Sequence, residues 1–198
     1  SELANYWVHS GMIDINGVKM SKSLGNFITA KDILSKVDPM VLRWFLLATQ
    51  YRDDVNVSDE IIESSKAELT KIITAYKQAC VKLEVNDIKV DGVDEDTYKR
   101  FMDAMADDLN TPNAYAVIFE IVKSINQLVR VKEINFEALG KEVNTLVRCM
   151  NVLGIVLPDM TMSLDDKKMY QEWMEAKSIK DFKKADELRT QLSQKGIL

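Results

Sequence analysis

The chain has 198 residues, 46% of them apolar, with only 7 glycines and 3 prolines but 10 methionines, which supports a real core in one large or two small domains and favours long helices over sheets. No run of about 18 apolar residues occurs, so no membrane span is expected, and no basic segment followed by an apolar stretch marks a signal peptide at the N-terminus. The net charge of −5 looks unsuited to nucleic acid, but it is unevenly placed: 0 over residues 1–56, −6 over 57–160 and +1 over 161–198, so a phosphate backbone would meet the ends more easily than the middle.

Residues 11–20, GMIDINGVKM, alternate apolar and polar about Asn16-Gly17. Asn-Gly accepts positive φ at both central turn positions, which predicts a hairpin. A lysine-serine loop, KMSKSLGN, leaves its second strand. Thr29 is placed to cap a short helix, with Asp32 three residues on as an imperfect capping box. Pro39 opens a helix over 39–50 whose VLRWFLLA segment is apolar on most sides and expected to be buried.

From Ser58 onward the pattern is helical. Ile62, Leu69, Ile72, Ile73, Tyr76, Cys80 and Leu83 recur at three and four residues. A polar connector, 84–93, follows. Tyr98, Phe101, Met102, Met105 and Leu109 form the next stripe. Thr111 and Pro112 read as a hydroxyl cap followed by proline at the first helical position. Stripes from Ala114 to Leu128 and from Phe136 to Leu153 complete the set, the last ended near Gly154. Four such stripes joined by short loops predict an antiparallel helical bundle. Residues 158–163 read as a linker to a helical hairpin, 164–177 and 181–195, expected to move relative to the bundle. Asp181 is placed to cap its second helix, and Gly196 to end it with Ile197 packing back. The fold class is therefore mainly α: a short β-hairpin and phosphate-binding loop, an antiparallel bundle, and a C-terminal helical hairpin. Cys80 and Cys149 match no metal spacing and read as two buried, reduced thiols of a cytosolic protein.

The loop is where chemistry is expected. Lys19 and Lys22 each offer a mobile point charge with three donors. Serine hydroxyls add donors without bulk, and Gly25 lets the chain turn away. A cationic loop of this kind can close on a polyphosphate as charge develops and lower a barrier by electrostatics alone. A soluble surface loop would look the same on the pentapeptide alone.

The stretch YWVHSGMIDINGVKMSKSLGNF resembles the cysteinyl-tRNA synthetase family of class I aminoacyl-tRNA synthetases. The resemblance continues in register through VLRWFLLATQYRDDVNVSDE, MADDLNTPNAYAVIFEIVKSINQL and IKDFKKADELRTQLSQKGIL. It implies that Lys19 and Lys22 are catalytic, stabilising the pyrophosphate of ATP during adenylate formation. Met20, Ser21 and Ser23 would complete the ATP-binding loop. It implies three parts: 1–56 as the end of the catalytic domain with a stem-contact fold, 57–157 as a tRNA-binding helical bundle, and 163–198 as an incomplete anticodon-binding hairpin. In the tail, Asp186 matches an anticodon-reading aspartate, with Arg189, Lys177, Lys180, Lys183 and Lys184 as phosphate contacts. The apolar set Phe182, Ala185, Leu188 and Leu192 is expected to take the opposite face of that helix. A solvated helix face with local pairs such as Lys183 with Glu187 is the plain alternative.

The same resemblance implies ATP with magnesium, cysteine and tRNA(Cys) as ligands of a cytoplasmic, monomeric parent enzyme. Its zinc ligands lie outside this sequence: the one histidine, His9, has no cysteine near it and reads as a packing or hydrogen-bonding residue beside the loop. The nucleotide-binding signature is also absent, so this piece alone is expected to be inactive and its loop poorly ordered without phosphate. Two other readings remain: a stand-alone helical interaction module, and a piece of a ligase joining cysteine to an amino sugar. The basic tail argues against the second.

Overall fold

The computed structural model describes residues 3–198. Chain order is β1 (Ile13–Ile15), β2 (Val18–Lys19), α1 (Ala30–Leu34), α2 (Pro39–Leu47), β3 (Val55–Val57), α3 (Asp59–Val85), α4 (Glu95–Ala106), α5 (Thr111–Leu128), α6 (Phe136–Val152), α7 (Leu164–Ser178) and α8 (Phe182–Gln194). The mainly α architecture with a small sheet, a bundle and a terminal hairpin is as expected.

The hairpin turns at Asn16 and Gly17, with φ of 51° and 75°. That mirror-image turn matches the strand twist. β1 pairs antiparallel with β2, and on its other side parallel with β3, in register Ile13 to Val55 and Ile15 to Val57. This third strand had no sequence signal. Three residues are too few to show alternation, and the partner lies some forty residues upstream. Gly11 explains the close approach: a Cβ there would sit 2.1 Å from the carbonyl oxygen of Asp53. Only a residue without a side chain lets the strand entry lie against the 50–54 turn.

The helix starts follow their caps. Thr29 and Asp32 form a complete capping box, each side chain accepting from the other's backbone amide. Ser58 caps α3 and Asp38 caps α2. Two boundaries differ from expectation. α2 stops at Leu47 rather than residue 50, because the chain must turn into β3. Asn110, not Thr111, caps α5, accepting from the amide of Asn113 at 3.2 Å. Thr111 is instead a buried first-turn residue.

The main core joins α2 to the bundle of α3, α4, α5 and α6. Trp44 is fully buried. It stacks on Tyr115 with centroids 3.8 Å apart, and meets the edge of Phe119 at 6.1 Å. Its indole N–H donates to Glu68 Oε2, while the Tyr115 hydroxyl donates to the Trp44 carbonyl at 2.8 Å. The expected stripes line this core with two exceptions. Met102 and Leu109 are exposed: Met102 lies on the outer side of α4, and Leu109 falls beyond its end at Ala106, where the chain leaves helical geometry. Both cysteines are free and buried, and burial pushes their thiols up, Cys80 to about 11 and Cys149 to about 12.

A second, smaller core seats the terminal hairpin: Val81 of α3 packs with Met162, Tyr170, Leu192 and Ile197. Gly196 takes φ of 71°, and the amide of Ile197 reaches back to the carbonyl of Leu192. Lys77 donates to the Gly196 carbonyl, and Lys167 pairs with Glu84 and Asp87. The hairpin expected to move freely is thus docked on the C-terminal half of α3, because its cap residue, Ile197, is apolar and buried there.

Candidate nucleotide and nucleic-acid interface

The lysine-serine loop hangs from β2. Its first lysine is the last strand residue, and the amide of Met20 still donates to the Ile13 carbonyl at 3.1 Å, so the ladder carries order into the loop. Asn26 then closes it. Its carbonyl oxygen accepts from the amide of Ser21 at 2.9 Å, and its NH2 donates to the Lys19 carbonyl at 3.1 Å. Inside that bracket the Ser21 and Ser23 hydroxyls meet at 3.2 Å, and Ser21 Oγ accepts from the amide of Leu24. Gly25 makes the exit turn at φ of 69°. The short amide of Asn26 thus satisfies strand and loop backbone together.

The bracket leaves both cations outward. Lys19, Lys22 and Ser23 are exposed, Met20 and Ser21 half-buried. Lys22 Nζ lies 5.6 Å from the Phe27 ring centre, a weak cation–π contact. Among the described residues neither lysine forms an ion pair. Two unneutralised ammonium groups on a hydrogen-bonded loop suit a polyanion better than a structural role. His9 is exposed and, among the described residues, makes no hydrogen bond, so the packing role expected of it is not found. No group of three or more metal-ligating side chains occurs among the described residues.

The segment that leads into this loop carries many exposed apolar side chains. Leu3, Tyr6, Trp7, Val8, Met12 and Leu24 are all well exposed. So many exposed apolar side chains within residues 3–24 fit an interface better than open water.

The tail set is gathered on the docked hairpin. Lys177 is in the last turn of α7, Lys180 sits in the turn at φ of 61°, and Lys183, Lys184, Asp186 and Arg189 lie on α8. Asp181 is used as the helix cap, accepting from the amide of Lys184. Asp186 has no side-chain partner among the described residues. It lines a shallow groove with Arg189, Thr190, Ser193 and Gln194. Lys177 Nζ lies 4.3 Å over the Trp173 ring, and Lys184 is 3.9 Å from Glu172. The plain pairing of Lys183 with Glu187 does not form among the described residues. Ala185 and Leu192 are buried and Leu188 half-buried, but Phe182 is 71% exposed, against expectation. It is the first residue of α8, at the hairpin tip beyond the reach of α7, with Ile179 exposed beside it in sequence. An exposed ring among lysines is a surface on which a base can stack.

Residues 1–67 match the model for the class I (C) tRNA synthetase catalytic domain, and residues 100–157 match the DALR domain. The chain is similar to the cysteine–tRNA ligase of Leuconostoc citreum, with 37% identity over 201 residues, covering 98% of this chain and 43% of that protein. It is similar to that of Oceanobacillus iheyensis, with 36% identity over 98% of this chain and 44% of the relative. It is 37% identical to that of Lachnoclostridium phytofermentans over the whole of this chain and 45% of the relative. The chain therefore spans less than half the length of these relatives.

Proposed function

The chain corresponds to the C-terminal portion of the cysteine–tRNA ligase family, and from that premise we propose that it supplies the pyrophosphate-stabilising loop and the tRNA-binding helices of an enzyme that activates cysteine with ATP and transfers it to tRNA(Cys). In this reading 1–56 closes the catalytic domain, 57–157 is the tRNA-facing bundle and 163–198 reads the anticodon.

The reaction asks little covalent chemistry of these residues. The cysteine carboxylate attacks the α-phosphorus of ATP and pyrophosphate leaves. Lys19 and Lys22 meet the charge that builds on the leaving group, and the Ser21 and Ser23 hydroxyls are donors beside them. Magnesium arrives with ATP. Zinc does not fit the donors of this chain: His9 stands alone on the surface, and the Cys80 and Cys149 thiols are enclosed in the core with their protons held. The apolar surface about Trp7 and Met12 suits the rest of the catalytic domain as its cover. No helix of the described residues is long and apolar enough to cross a membrane.

The observation that carries the reading is the pairing of a free cationic loop with a free aspartate flanked by lysines on one continuous match to the same relatives. Asp186 is proposed to accept from a base edge while Lys177, Lys180, Lys183, Lys184 and Arg189 meet phosphates. The test is binding of tRNA(Cys) and of an anticodon-altered tRNA(Cys) by the natural-length protein. Asp186→Ala should weaken the cognate tRNA by about 1–3 kcal/mol and leave the altered one nearly unchanged. Replacing the lysines should weaken both and flatten the salt dependence. An equal penalty of Asp186→Ala on the two tRNAs would reduce the helix face to a solvated one.

A further inference from the structure

Between α4 and α5 two consecutive non-glycine residues, Asp108 and Leu109, hold positive φ, 52° and 55°. Leu109 gains no burial from it; the side chain is half exposed. A bulky residue in this region persists only where its surroundings fix it. At Asp108 the hold comes from the turn between α2 and β3. Arg52 grips Asp108 with two parallel bonds, Nε to Oδ2 at 2.8 Å and Nη2 to Oδ1 at 3.0 Å. The Tyr51 hydroxyl donates to the same Oδ1 at 2.8 Å. Gln50 donates to the Asp108 backbone carbonyl at 3.0 Å, and its own carbonyl oxygen accepts from the amide of Arg52.

The far side of that turn is bonded to the strand that leads into the loop. The Tyr51 carbonyl accepts from the amide of Gly11 at 2.8 Å, Asp54 accepts from the amide of Met12, and the Met12 carbonyl accepts from the amide of Val55. At the next residue, Ile13, β1 begins, and the hairpin delivers Lys19 and Lys22. An isolated exposed ion pair contributes little. This one is bidentate, shares its carboxylate with a third donor, and sits in a continuous path of hydrogen bonds from the bundle to the hairpin. Its partners lie more than fifty residues apart in sequence, so it does not serve local helix structure.

We propose that Asp108 is a positioning residue for the lysine-serine loop: through Arg52, Tyr51 and Gln50 it fixes the hairpin, and with it the two lysines, relative to the α4–α5 end of the bundle. That assignment of purpose rests on the ligase reading; the mechanical link does not. Asp108 touches no reacting atom in this scheme. It sets where the cations stand when phosphate arrives.

Two measurements test it. In the 198-residue chain, hydrogen exchange of Asp108→Ala should show the amides of Gly11, Met12, Met20 and Val55 opening about tenfold faster, with Ile121 and Ile125 of α5 unchanged. Equal acceleration in α5, or no change from Gly11 to Met20, overturns the proposal. In the natural-length protein, Asp108→Ala should lower kcat of cysteine-dependent ATP–pyrophosphate exchange by about tenfold with KM for ATP within about twofold, and Asp108→Glu should recover most of the loss. A rise in KM alone, or a failure of Asp108→Glu to improve on Asp108→Ala, assigns the residue a merely structural part and also overturns it. If the unaltered protein catalyses no exchange, the ligase reading fails, while the hydrogen-exchange result still decides whether the link exists.

Discussion

Trp44→Ala should destabilise the chain more than any other single truncation in α2. The indole is fully buried and joins three helices: it stacks on Tyr115 of α5, meets Phe119, and donates to Glu68 of α3. Truncating a buried tryptophan costs about 3–5 kcal/mol through lost transfer energy and the cavity left behind. The upper half of that range is expected, because the stacked Tyr115 ring loses its partner, worth about 0.5–1.5 kcal/mol of the total. At about 2–4 °C per kcal/mol for a chain of this size, the melting midpoint should fall by about 8–20 °C. Trp44→Phe keeps an aromatic face and loses the Glu68 bond, so about 1–3 kcal/mol is expected. Tyr115→Phe removes only the hydroxyl that donates to the Trp44 carbonyl, for about 1 kcal/mol. Urea unfolding followed by far-ultraviolet circular dichroism gives all three values. A Trp44→Ala loss below about 2 kcal/mol would mean that α2 is not seated on the bundle as described, and would refute the packing argument.

Glu142 supplies a pH test. Burial pushes its carboxyl above the ordinary 4.5 and Asp94 adds to that, while the Ser124 hydroxyl and Arg100 pull the other way; its Oε2 has no partner among the described residues. A carboxyl raised in the folded state holds its proton where the unfolded chain has lost it, so stability should fall as pH rises above 4.5 through the folded value. Glu142→Gln should therefore raise the urea midpoint near neutral pH and give no gain near pH 4; an unchanged midpoint at neutral pH would contradict the burial. Gly11→Ala should loosen the sheet, since its Cβ would meet the Asp53 backbone at 2.1 Å, where no flexible side-chain end can give way. Amides of β1 and β3 should exchange faster while those of α6 hold, and normal protection of Val55 would show that the close approach is not needed.

Much of this fold could be read from residues whose signals are local. Asn16-Gly17 specifies its turn by backbone preference alone, Thr29 and Asp32 cap each other three residues apart, and Gly196 with Ile197 ends α8 as expected. The helix stripes were legible because one face repeats over many turns. What escaped depends on distant partners. β3 has three residues and a mate forty positions away. Phe182 fits the apolar face of α8 by spacing, yet lies past the end of the helix that covers that face. Asn110 takes the cap in place of Thr111, in a connection whose Asp108 is held by Arg52 and Gln50, which spacing cannot show. The same holds for the site. Lys19, Lys22 and Asp186 are candidates by residue type and resemblance, whereas Asn26, which brackets the loop, and Asp108, proposed to tie it to the bundle, act through contacts visible only in three dimensions.

In the proposed reading the lysine-serine loop acts on developing charge rather than holding a ligand. Steady-state cysteine-dependent ATP–pyrophosphate exchange by the natural-length protein, with and without Lys22→Ala, tests it most directly. Removing one such donor costs about 2.7–4 kcal/mol in the transition state, so kcat should fall by about two to three orders of magnitude while KM for ATP changes little. An equal effect on ATP binding and on rate, or an undiminished rate, would show that the loop does not act on the transition state.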